Sequence, residues 1–151
     1  MAMVFVIVDD AEDGETNLAR NLKLGIEELT NGAYTAELIL EVDLATAVTH
    51  VVRRVNSIVK KGEDTVQGIL VDLVQQKINT KAGATLLEAI KRHPRIGHLD
   101  VVVYTSTNVE AERAKLRAAG AKAVVKRDLR SGMPPHIQLA RDILKAFGVK
   151  L

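Results

Sequence analysis

Five residues able to do chemistry stand where apolar runs stop. Asp9 and Asp10 close VFVIVDD, Asp72 closes VQGILVD, Thr105 closes DVVVYT and Lys126 closes AVVK. Three carboxylates gathered in one pocket repel one another unless a proton or a cation relieves them. A small hard cation such as Mg²⁺ takes carboxylate oxygens, keeps several waters and favours a phosphoryl oxygen as a further ligand. A carboxylate can also serve as the acceptor itself, giving an aspartyl phosphate. A threonine hydroxyl can donate to such a phosphoryl group, and a lysine can pair with its charge. Taken singly, each residue has a plainer explanation, since an Asp after a strand is commonly a solvated terminator or a helix cap. Their common position, at the ends of successive apolar runs, is what the plainer explanation leaves to coincidence.

The elements that carry these residues follow from periodicity. Val4–Val8 reads as a first strand. The next segment places Leu18, Leu22, Ile26 and Leu29 on one helical face and stops at Asn31-Gly32. Tyr34–Val42 is the second strand. Asp43 is placed to cap a helix whose apolar positions are Leu44, Val48, Val51, Val52, Val55 and Val59, ended by Gly62. Its outer face carries His50, Arg53, Arg54, Lys60 and Lys61, a solvated charged face by pattern. Val66–Asp72 holds contiguous Ile69, Leu70 and Val71, as expected of a parallel strand buried on both sides. A polar loop follows, then a helix with Leu86, Leu87 and Ile90 that closes at His93-Pro94. Leu99–Tyr104 reads as the fourth strand. Thr107 with Glu110 fits a capping box for the next helix, which Gly120 terminates. Ala123–Val125 is a short fifth strand. Pro134 and Pro135 suit the first turn of a last helix with Ile137, Ala140, Ile143, Leu144 and Phe147 inward.

Strand and helix thus alternate five times, which implies a parallel sheet with helices on both faces and right-handed crossovers. For an α/β chain of this size the flavodoxin-like doubly wound (βα)5 sandwich, strand order 2-1-3-4-5, is the expected solution. Its switch point sets strands 1 and 3 side by side. Asp9, Asp10 and Asp72 then converge at one edge, with Thr105 and Lys126 arriving from strands 4 and 5.

Composition narrows the function classes. The 151 residues fit one domain with a full core, and the 47% hydrophobic and 26% charged content is ordinary for a globular protein. A net charge of +2 is too small to argue for nucleic acid, and 3% aromatics provide no stacking platform for bases. There is no cysteine, hence no disulfide framework and no thiolate metal site. The N-terminal apolar run lacks a basic preceding region and is too short for a signal or a membrane span. The expectation is a cytoplasmic protein with no membrane or nucleic-acid partner.

VFVIVDD, GILVD, VVVYTS and AVVK together resemble, in the right order, the signature stretches of bacterial response-regulator receiver domains, and GATLLEAIKRHP resembles that family's third helix. The resemblance covers nearly the whole chain. It implies that Asp72 is the phosphoacceptor and that Asp9 and Asp10 hold Mg²⁺, with the backbone carbonyl of Val74 as a further ligand. Thr105 would be the switch hydroxyl and Lys126 the phosphate-binding lysine. The implied role is a single-domain receiver over residues 1–151, without an output domain. It would take its phosphoryl group from a histidine kinase or phosphotransfer protein and signal through a downstream protein target or along a relay, as a monomer or weak homodimer. The sequence departs from the pattern in several places. Gln75 and Gln76 replace a Met-Pro pair, Gly83 comes late, and Arg127 stands where a proline usually follows the lysine. Ala123 or Val124 occupies the usual aromatic position of strand 5. Side chains alternate along a strand, so only one of Lys126 and Arg127 can face the site, and the direct run of AVV into Lys126 favours the lysine. A receiver-fold binding module that signals without phosphorylation is the alternative. A phosphatase of the aspartyl-nucleophile type would want Asp-x-Asp, whereas Asp9-Asp10-Ala11 stands here, and a flavodoxin would carry its phosphate loop after strand 1.

Overall fold

The computed structural model describes residues 2–9, 17–40, 44–73, 80–105, 109–126 and 135–151. Strands β1 (Met3–Asp9), β2 (Tyr34–Leu40), β3 (Thr65–Asp72), β4 (Val101–Thr105) and β5 (Ala123–Lys126) form one parallel sheet in the order β2-β1-β3-β4-β5. Helices α1 (Asn17–Leu29), α2 (Leu44–Lys61), α3 (Thr80–Arg92), α4 (Glu110–Ala118) and α5 (Pro135–Ala146) alternate with them. The expected flavodoxin-like topology is therefore the observed one. Asp10, Val74 and Arg127 lie outside the described residues, as do Asp43, Gln75, Gln76 and Thr107.

Alternation along each strand divides the apolar side chains between two cores. Val4, Val6, Val8, Ile69, Val71, Val101 and Val103 pack on the side of α2, α3 and α4, with Val51, Leu86, Leu87, Ile90 and Leu116. Phe5, Ile7, Leu70, Val102 and Tyr104 pack on the other side, with Leu22 and Ile26 of α1 and Leu139, Ala140, Ile143 and Leu144 of α5. Burial of both sheet faces explains why the central strands are uninterrupted apolar runs. The turns follow the sequence signals. Asn31 (φ 51°) and Gly32 (φ 81°) adopt the left-handed conformation after α1, and Gly62 (φ 70°) does so after α2.

Three expectations are corrected. Val59 does not join the inner face of α2 and is 62% exposed; Ala47, Val51, Val55 and Ile58 form the buried stripe. Successive steps of four residues drift by about 40° each, so after Val55 a three-residue step to Ile58 brings the line back to the sheet. β4 begins at Val101, not Leu99, because Leu99 donates its N–H to Ile96 O (3.0 Å) in the preceding turn. Glu110 is not the third residue of a capping box: α4 starts at Glu110, with Val109 as an N-cap that makes no side-chain capping bond. Glu110 instead accepts from Arg113 Nη2 (2.6 Å) and Arg117 Nη2 (2.5 Å).

Candidate functional site

Register assembles the site. Asp9, last in β1, pairs with Asp72, last in β3. Asp72 pairs on its other side with Tyr104, and Thr105, last in β4, pairs with Lys126, last in β5. Neighbouring strands lie about 4.8 Å apart, so four of the sequence-predicted residues make a row across the carboxyl edge of β1, β3, β4 and β5. This edge, beside the switch point between β1 and β3, is where open α/β sheets place ligands. Leu73 N donates to Tyr104 O (2.8 Å), fixing the end of β3 against β4.

Burial differs along the row. Asp72 is 1% exposed, Asp9 2% and Thr105 4%, whereas Lys126 is exposed. Two adjacent carboxylates removed from bulk water repel by a few kcal/mol at intermediate dielectric, about 4 kcal/mol for charges 4 Å apart. Asp72 has interaction partners, yet its buried Oδ2 makes no hydrogen bond among the described residues. An all-oxygen, doubly acidic pair at a buried edge fits a small hard cation. Among the described residues no three His, Cys, Asp or Glu side chains group as a metal site; Asp9 and Asp72 supply two carboxylates.

The side of the sheet taken by each residue follows from its neighbours. Val124 packs toward the α2–α4 core, and Ala123 and Val125 toward the α1/α5 core. Alternation puts Lys126 on the side of Val124, as it puts Thr105 on the side of Val103 and Val101. Asp9 and Asp72 fall in line with Ile7 and Leu70, on the α1/α5 side, so Thr105 and Lys126 share with the two carboxylates the carboxyl edge of the sheet and not one face of it. Two further residues escaped the sequence reading. Tyr104 is 3% exposed beside Asp72, and Gln138 of α5 is 2% exposed. The pairing of Tyr104 was implicit in the strand ends, one step before Thr105; a lone Gln in a helix carries no such signal.

No protein-family model matches the chain and no curated protein matches it. Solved structures do. A signal receiver domain of two-component signal transduction (histidine kinase) from Clostridium thermocellum superposes with a TM-score of 0.61 at 15% identity, covering 99% of this chain and 100% of that one. The phosphorylated cyanobacterial phytochrome response regulator RcpA gives 0.64 at 15%, covering 97% and 94%. The Mn²⁺-bound form of response regulator Rcp1 gives 0.59 at 18%, covering 95% and 92%. Five parallel strands in the order 2-1-3-4-5, with five helices, thus give this chain the fold of response-regulator receiver domains.

Proposed function

We propose that this chain is a two-component receiver that accepts a phosphoryl group on Asp72. The observation that carries the reading is the in-register pairing of buried Asp9 and Asp72, with Thr105 and Lys126 next along the same edge. The donor would be a phosphohistidine of a histidine kinase or phosphotransfer protein. An Asp72 carboxylate oxygen attacks phosphorus and a P–O bond forms. The P–N bond of the phosphohistidine breaks, and its electron pair returns to the imidazole, which takes up a proton. In dephosphorylation, water attacks the phosphorus of the aspartyl phosphate, the P–O bond to Asp72 breaks, and inorganic phosphate leaves. Thr105 and Lys126, on the other side of the same edge, would reach the phosphoryl group over the strand ends, the hydroxyl donating to a phosphoryl oxygen and the ammonium pairing with the charge. Mg²⁺, when bound, supplies positive charge that stabilises the phosphoryl oxygens. Asp9, Asp10, Asp72 and the backbone carbonyl of Val74 would hold it. Structural neighbours captured with Mn²⁺ and in a phosphorylated state support this chemistry. Output would pass to a downstream protein or along a relay.

A second reading, a binding module that signals without phosphorylation, is favoured by the near-complete burial of Asp72. Incubation with acetyl phosphate or phosphoramidate and Mg²⁺, followed by intact mass, separates the two. The receiver gains one phosphoryl group, dependent on Mg²⁺, and Asp72→Asn gains none. An unchanged wild-type mass across donors and Mg²⁺ concentrations would give the binding module the lead.

A further inference from the structure

We infer that Tyr104 couples the charge state of Asp72 to helix α5. The inference deepens the receiver reading, since it is as a phosphoacceptor that Asp72 would change state.

Three observations carry it. Asp72 and Tyr104 are directly paired across β3 and β4. Leu70 and Val102, which precede them by two residues, both pack on the α1/α5 side, so the carboxylate and the ring emerge on the same side of the sheet as immediate neighbours. Tyr104 is 3% exposed and belongs to one apolar cluster with Leu139, Ala140 and Ile143, and α5 packs on β4. The ring is thus the one large side chain that β4 and β5 present on this side of the sheet; Val102, Ala123 and Val125, its companions there, are small. Close-packed interiors transmit displacement, because a rigid ring cannot move without its neighbours moving. A change of charge or bulk at Asp72 therefore reaches α5 through the Tyr104 ring, whereas the buried residues of α3 pack on the opposite side of the sheet. Tyr104 is a positioning residue in this scheme: the ring, not the hydroxyl, does the coupling.

The test is a double-mutant cycle read by amide hydrogen exchange, with no phosphodonor needed. Asp72→Asn removes the carboxylate charge. In the wild-type background it should change exchange of the α5 amides by at least about fivefold, the lower end of ordinary site-to-site coupling, and leave α3 unchanged. In a Tyr104→Leu background the α5 change should vanish; Tyr104→Met serves if the leucine variant does not fold. In Tyr104→Phe, which keeps the ring, the change should persist. A purely structural role for Tyr104 would alter α5 exchange by the same factor with or without Asp72→Asn, leaving the cycle additive. An additive cycle, no α5 response to Asp72→Asn, or loss of the response in Tyr104→Phe would each overturn the inference. Failure of the receiver reading shows instead as an unphosphorylated wild type, a separate measurement.

Discussion

In the proposed receiver, Asp9 and Asp72 are the residues where folding and function pull apart. Burying two carboxylates side by side on adjacent strands opposes folding, and that is tolerated where a ligand relieves it. Asp9→Asn should accordingly stabilise the metal-free protein by about 1–3 kcal/mol through lost repulsion, and should weaken the stabilisation that Mg²⁺ confers. Thermal melts of both proteins with and without Mg²⁺ check this; a variant no more stable than wild type without metal, and equally raised by Mg²⁺, contradicts it. At this scale the sequence was informative because a polar residue ending an apolar strand is conspicuous. Asp9, Asp72, Thr105 and Lys126 all fell on the edge expected of them. Tyr104 was not conspicuous, since an aromatic residue in an apolar strand looks like core until its register partner is known.

Among elements, α4 shows how local electrostatics can replace an expected cap. Glu110 stands in the first turn, where a negative charge suits the helix dipole, and it draws Arg113 and Arg117 back along the helix. The side-chain hydrogen bond from Arg117 is the main cause holding the Glu110 carboxyl below its ordinary value, with Arg113 and Arg117 charges adding to it. A lowered folded-state value means the contribution of Glu110 is fully present above the unfolded value of 4.5 and fades as pH falls through the folded-state value. Acid unfolding of wild type and Glu110→Gln should therefore differ modestly near neutrality, wild type being the more stable, and converge well below pH 4.5. A gap that persists or widens in acid would contradict the assignment. Periodicity located each described helix and strand, yet it misplaced edges: α4 starts at Glu110 itself, with Val109 as its N-cap. Which of two adjacent valines or isoleucines faces inward, as with Ile58 and Val59, is decided by drift of the helical stripe against the sheet.

On the scale of the whole molecule, the βα alternation left one small topology to consider, and the sheet order follows it. What alternation could not convey is how closely the layers approach. Gly25 of α1 faces α5, where an added Cβ would lie 2.6 Å from His136 O and 2.8 Å from Ala140 Cβ. The first of these is backbone and cannot rotate away. Gly25→Ala should thus push α1 from α5 and cost about 1–3 kcal/mol, measured by denaturant melts; an unchanged midpoint would mean the helices can separate freely. The proposal that four strand ends serve one phosphoryl group on Asp72 makes a claim about location, and location can be read directly. The phosphodonor-treated protein should be reduced with borohydride, which converts an aspartyl phosphate to homoserine, and its peptides mapped by mass. Homoserine is expected at position 72 and at no other aspartate, with the yield reduced in Thr105→Ala and Lys126→Ala; an adduct at Asp9 or elsewhere, with Asp72 intact, would contradict the assignment.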